Sequence, residues 1–588
     1  MNLSSVGSPH RPQGGTRLLS NAGIGLACVA VMWACGTAPD DGADGLTGTD
    51  VAAPTDSTSD ADAAVLTDGF ALEDAKPDAQ TDSAHDPDMD PDSGTDVGEP
   101  DVAADGSPDA TAPNACADLL QQGGPGPSSL GCEFWPTVLA TAVRPVFDFA
   151  VVVANPGAVA AQVTVTGPGG VASTAIVAPA AVATVYLPWV DSLKVFEPSS
   201  CTAPAGSVAS VKALGGAYHL VSTEPVLVYQ FNAIEPRSLG GPAGKDWAAA
   251  CTPQPATECL NGGCYAQSND ASALMPSTSL TGRYRVGGWP GQSMGSYLAV
   301  TGTAPGTSVT VTLGSLGGVV AGPGVAATAA GGTLLLALGA GDVVELFANP
   351  GDDLSGAVVQ ADKPVQVMTG SPCTAAPDQA AFCDHVEESV PPAAALGRDY
   401  FVPVPTAPTG MPVGHMVRLY GDANGTTLSY APAAPPGAPT TLNAGQVVDL
   451  GQVHVGFRVV GDKPFLVGTL LLSAAVVDPV SYNGDPSQSF PVATEQFTDS
   501  YTFFTPGDYA SSFADVVAPS GAAVSLDGVP VVGAPTPVGA TGFVLYRIPV
   551  GGGTHHRISS TAPIGLQVMG YANASSYLYP GGGRLVPL

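Results

Sequence analysis

Cys373, Cys383, His385, Glu387 and Glu388 stand close together in the chain, and their types are those of a metal site. Thiolate and imidazole are zinc ligands. Two cysteines ten residues apart in an exported chain more readily oxidise to a disulfide, which would leave His385 and Glu387 to brace a crossing between structural units. Gly291-Gln-Ser293-Met-Gly295 fits the G-x-S-x-G nucleophile elbow, whose chemistry is acyl transfer through a serine exposed where a strand turns into a helix. The following Gly295-Ser-Tyr297-Leu-Ala-Val reads as a strand. In a chain with 74 glycines a chance match is expected, so a serine hydrolase at Ser293 is only a minor alternative. His555-His556 has no third ligand nearby in sequence and reads as a pair of solvated turn residues. Asp88-Met-Asp90-Pro-Asp92-Ser-Gly94-Thr-Asp96-Val-Gly-Glu99 imitates a calcium loop, but Ser93 occupies the position that needs glycine, and flanking helices are absent. No P-loop, dinucleotide fingerprint or supported carboxylate pair is present. The sequence therefore assigns no catalytic, cofactor-binding or metal-binding residue, and an enzyme is not expected.

The N-terminus is a candidate address. Arg11 and Arg17 precede an apolar run from Ala22 to Ala34, too short for the ~20 residues a spanning helix needs. Basic start, short apolar run and small residues together read as a signal peptide over 1–34. Cys35 follows in Met32-Trp33-Ala34-Cys35-Gly36, the pattern of a bacterial lipobox, and is the expected lipidation site; Cys28 is a second candidate. Residues 38–113 hold 21 of the 51 acidic residues against one base, Lys76, in a background of Ala, Pro, Ser, Thr and Gly. Such a segment buries too little apolar surface to offset ordering, and like charges extend it. Residues 35–113 are thus expected to form a disordered stalk behind the lipid. The localisation expected is the outer membrane or cell surface, with secretion as the alternative, and with the membrane touched only through the anchor.

Residues 114–588 are mildly acidic and have no Lys/Arg cluster, which excludes the counterion release that drives nucleic-acid binding. They contain Cys116, Cys132, Cys201, Cys251, Cys259, Cys264, Cys373 and Cys383. An even number in an exported chain suggests disulfides, but eight cysteines allow 105 pairings. Close spacing favours Cys373–Cys383 and Cys116–Cys132.

Apolar residues in this region alternate with a period of two, and a pattern repeats four times. An apolar strand, a polar turn ending in proline and a second apolar strand recur around Pro225, Pro364, Pro464 and Pro563, at intervals of 139, 100 and 99 residues. The first interval contains Cys251, Cys259 and Cys264, which indicates an insertion. Upstream of each proline lies an expected hairpin, turning at Pro156-Gly157, Pro305-Gly306, Asn424-Gly425 or Ser520-Gly521. Units of ~100 residues with six or seven strands have the size of a β-sandwich. The expected fold is therefore all-β, with about four tandem sandwich-like units at 130–270, 271–388, 389–488 and 489–588. A propeller-like ring of β units is the alternative.

Asp362-Lys-Pro364-Val-Gln-Val-Met-Thr-Gly370, then Cys373, Cys383-Asp-His385-Val-Glu387-Glu388, Pro391-Pro392 and Gly397-Arg-Asp-Tyr400 resemble, in that order, the IgGFc-binding protein N-terminal domain. Tyr229-Gln-Phe-Asn232, Asn269-Asp270, Pro491-Val-Ala-Thr-Glu-Gln-Phe and Tyr579-Pro-Gly-Gly extend the resemblance over roughly 130–588. It implies an extracellular binding or adhesive module whose partner is a glycoprotein or other surface ligand, and it supports a local cysteine pair at 373 and 383. It supplies no Fc-contact residue. Mucin-type relatives also carry D domains with a self-cleaving Gly-Asp-Pro-His; here Gly484-Asp485-Pro486-Ser487 lacks the histidine. A structural spacer or scaffold of the cell surface is the competing reading.

Replacing Cys35 by Ser is expected to abolish acylation and leave an uncleaved precursor, seen as a mass shift on intact-protein spectrometry. Processing at the unchanged bond would instead reveal a conventional signal peptidase.

Overall fold

The structure is a computed structural model that describes residue 116 and residues 129–195, 208–247, 264–292 and 294–585. The architecture is nearly all β, and one strand order occurs four times. Each unit is built around a long strand with a proline in its middle: His219–Asn232, Val358–Thr374, the pair Phe457–Gly461 and Phe465–Leu470, and Thr554–Ala572. The half before the proline pairs with the unit's first and third strands. In the second unit these are Thr281–Arg285 and Thr307–Thr312. The half after the proline pairs with the second strand, Tyr297–Gly302, and with a closing strand, Asp384–Ser389. The two halves thus belong to two layers that face each other across an apolar core, a sandwich whose corner is one bent strand.

The proline segments were expected to be turns between separate strands. In the first, second and fourth units the strand instead runs through the proline, and only at Pro464 is it interrupted. Proline cannot donate to a ladder, so it marks a bulge in a strand that continues. The register of the neighbouring first strand slips there, between Gln360 and Val365 in the second unit. Local side chains mend the gap. Two residues before each proline, Thr223, Asp362, Asp462 or Thr561 accepts the backbone N–H of Gln162, Ser308, Thr427 or Ala523, at 2.7–3.0 Å. In the second, third and fourth units a buried tyrosine of the first strand satisfies the carbonyl just past the proline. Tyr284 donates to Val365 O at 2.6 Å, Tyr400 to Phe465 O at 2.8 Å and Tyr501 to Ile564 O at 2.6 Å.

The expected hairpins are also corrected. Second and third strands do not pair with each other; Phe149–Asn155 pairs with Ala181–Leu187 and Ala161–Gly167 with Val171–Val177. The turn between them crosses from one layer to the other. Its glycine has positive φ in three units, +63° at Gly306 and Gly425 and +89° at Gly521, but not at Gly157, and the strands it joins bond to opposite halves of the long strand.

Sandwich units and ring, posed as alternatives, occur together. The second strands are apolar on both faces, as in Phe149-Ala-Val-Val-Val-Ala-Asn155, because one face fills the unit's own core and the other packs on a neighbour. Val151 and Val153 lie in the first core, while Ala150, Val152 and Ala154 join Phe504, Ile564 and Tyr579 of the fourth unit. Tyr297 and Ala299 reach from the second unit into the first core, and Tyr420 and Leu466 from the third into the second. Val211–Ala213, from the first unit, adds a strand to the second unit's sheet. The four closing strands, Ala271–Ala273, Asp384–Ser389, Gln488–Ser489 and Ser575–Pro580, each touch the next around a common axis. Ser129 N donates to Gly583 O at 3.1 Å, so the ends of the ring meet.

Tyr400→Phe should cost about 1–3 kcal/mol by stranding the buried Phe465 carbonyl, whatever the packing of the ring. Chemical denaturation of the two proteins measures it, and an unchanged midpoint would show that the hydroxyl mends nothing.

Candidate functional site

The described parts of the connections from long to closing strand, residues 233–247, 264–270, 375–383, 471–487 and 573–574, emerge at one end of the ring axis. Three present an aromatic ring to solvent just before a fully buried aspartate. Tyr265 is 40% exposed and precedes Asp270; Phe382 is 43% exposed and precedes Asp384; Tyr482 is 42% exposed and precedes Asp485. Phe382 and Tyr482 lie side by side with ring centroids 5.2 Å apart. Both have positive φ, +70° and +54°, a conformation that is unfavourable for bulky residues. Gln267, Gln379 and Ala574 in the same connections share it. Strain of this kind persists only where surroundings over-determine the backbone, and it concentrates at binding and catalytic sites.

The surroundings that hold it are a polar hub on the axis. Asp270 of the first unit accepts Glu387 N at 2.9 Å and Ala271 N at 2.8 Å, and it also accepts from Ser487 Oγ and Gln488 N. One carboxylate thereby grips closing strands of the second and third units. Asn269 Oδ1 accepts Ser575 Oγ at 2.8 Å, and Asp485 N donates to Ser576 Oγ at 2.8 Å, which ties in the fourth. Burial pushes Asp270, Asp384 and Asp485 well above the usual carboxylate range, and Asp485 and Asp270 push Asp384 further.

Glu387 is fully buried and faces Gln230 Nε2 at 3.2 Å, Ser272 Oγ at 3.1 Å, Asn232 Nδ2 and His385 Nε2, the last at 3.2 Å. Burial raises Glu387 to about 8 and lowers His385 to about 3, so near neutrality both are uncharged and their contact is a hydrogen bond rather than an ion pair. Removing either charge from a dry site is how a fold tolerates such groups. The arrangement can hold four units in register; nothing in it presents a reacting atom to solvent.

Of the residues singled out by sequence, Cys373 is joined to Cys383 and Cys116 to Cys132, and Cys264 is also in a disulfide. The 373–383 link closes the loop that carries Phe382. Cys28, Cys35, Cys201, Cys251, Cys259, Ser293 and Asp88–Glu99 lie outside the described residues. Tyr297–Gly302, a strand and not a helix, follows the elbow-like glycines. Among the described residues no three His, Cys, Asp or Glu side chains are placed to hold a metal ion, and no helix is long and apolar enough to cross a membrane. His556 is no solvated turn residue: it is buried in Thr554–Ala572, with Nδ1 at 2.8 Å from Asp527 and Nε2 at 3.0 Å from Gly551 O. Its partner Asp527 follows Val524–Leu526, the strand paired with it, and lies 29 positions away, which the local sequence does not show. The hub was not recognised as a site, although Tyr229-Gln-Phe-Asn232 and Asn269-Asp270 supply much of it.

A sequence profile described as IgGFc binding protein matches residues 270–570. No curated protein matches the chain. Two solved structures show slight similarity. One is an anti-sigma factor domain-containing protein from Clostridium clariflavum, 12% identical, covering 52% of this chain and 83% of that one at TM-score 0.10. The other is a tetra-tandem repeat in the extending region of a large adhesion protein, 11% identical, covering 77% and 100% at TM-score 0.08.

Glu345, fully buried, accepts Ala140 N across the first interface at 3.0 Å, and burial raises it to about 8. An acid raised on folding contributes stability that is complete below its unfolded value near 4.5 and is lost as pH rises through about 8. Glu345→Gln keeps the acceptor and removes the titration. The melting temperature of wild type should fall more steeply than that of the variant between pH 5 and 8; parallel curves would contradict the assignment.

Proposed function

The chain belongs to the IgGFc binding protein family, and on that premise we propose that it is a non-enzymatic binding protein of the cell surface that captures an extracellular protein or glycoconjugate through the loop end of its ring. The pair of exposed, backbone-strained rings at Phe382 and Tyr482 carries this reading. Aromatic rings held half-exposed supply contact area at little entropic cost, which is how binding surfaces use them. Lipidation at Cys35 and the acidic segment to residue 113 would tether the ring to a membrane, and two or more acyl chains give such an anchor its stability.

The test is binding of the full chain to an array of glycans, secreted glycoproteins and immunoglobulin Fc. Saturable binding is expected to some member and should weaken at least about tenfold in Phe382→Ser with Tyr482→Ser, the size of effect typical of central aromatic contacts. Binding that survives the pair intact would move the site elsewhere. No binding at all, together with loss of envelope integrity on gene deletion, would favour the scaffold reading.

A further inference from the structure

At the end of the axis away from the loops, the closing strands diverge around a cavity of about 60 Å³. All four units line it, through Ala273, Glu388, Phe490 and Pro580, with Leu396 and Leu466 completing an apolar wall. One water needs about 10–15 Å³ on this measure, so a few heavy atoms fit. Glu388 is 1% exposed. Its Oε1 accepts Ser389 N at 2.8 Å, but its Oε2 has no protein partner, and neither has Ser389 Oγ, which lines the same cavity. Closing strands elsewhere put Ser272, Ser489 and Tyr579 opposite the equivalent long-strand position, where Glu388 faces Thr369. A carboxyl is therefore not required by the pairing itself. A buried polar group without a partner is costly, and a fold seldom keeps one idly.

We infer that this axial cavity is a binding site for a primary ammonium group on a short alkyl stem, held by Glu388 and Ser389. The apolar wall takes the stem; Glu388, which burial holds protonated while the cavity is empty, releases its proton to solvent as the cation enters, and its Oε2 and Ser389 Oγ then accept two of the three N–H donors. A guanidinium would leave most of its five donors unmet. Both a free small amine and the tip of a lysine side chain offer the required chemistry. The inference is independent of the loop end and its ligand.

Calorimetry or ligand-detected NMR with the full chain tests it. Ethylammonium should bind saturably, at millimolar affinity at best for three heavy atoms. Glu388→Gln, which preserves shape and should leave the melting temperature unchanged or higher, should weaken binding at least tenfold. Ethanol should not compete. A Gly-Gly-Lys-Gly-Gly peptide that binds while its Nε-acetylated form does not would identify a lysine tip as the source; binding of ethylammonium without the peptide would identify a free amine. Failure of ethylammonium to saturate, or equal affinity in wild type and Glu388→Gln, overturns the proposal.

Discussion

A proline in the middle of a central strand leaves the ladder one donor short, and this architecture is organised around that shortage. The strand must bulge, the bulge bends it, and the bend lets one strand belong to two layers. Two consequences follow directly. The residue two before the proline must carry a side-chain acceptor, which Thr223, Asp362, Asp462 and Thr561 provide. In three of the units the carbonyl just after it finds a donor outside the ladder, from Tyr284, Tyr400 and Tyr501. Lys363 and Lys463 add a further tie, donating from next to the proline to the carbonyls of the crossing turn at Gly306 and Gly425.

Assembly of the units rests on a different balance. Asp270, Asp384, Asp485, Glu345, Glu387 and Glu388 are all buried, in a chain of net charge −33. Left ionised and unpaired, any one of them would cost several kcal/mol. Burial keeps them protonated or surrounds them with amides and hydroxyls drawn from other units, so the desolvation penalty becomes a demand for correct docking. Such a hub adds little net stability and much specificity of register.

The repeat was legible because it is local: the proline, its acceptor two residues earlier and the alternation of the flanking strands lie within a few residues. Disulfide chemistry at 373 and 383 was legible for the same reason. The crossing turns were misread because a positive-φ turn between apolar strands has the same local signature whether the strands pair with each other or with a third. That difference is decided by the long strand, far away in sequence. The hub was illegible because its contacts join residues such as Gln230 and Glu387, 157 positions apart, and Ser487 and Asp270, 217 apart. The exposed rings at Phe382 and Tyr482 carry no signal in the sequence, since neither exposure nor backbone strain is written in residue type.

Closure of the ring by contacts between its first and last units has a kinetic consequence. Ser129 and Gly583 are 454 positions apart, and Val152, Tyr229 and Phe231 have their apolar partners in Phe504, Ile564 and Tyr577. Loops of that length are slow to close. A chain made or exported from its N-terminus holds a finished first unit with a sticky flank until the fourth unit arrives. For that interval it is a candidate for swapping flanks with another copy, or for aggregation, more than any single sandwich would be.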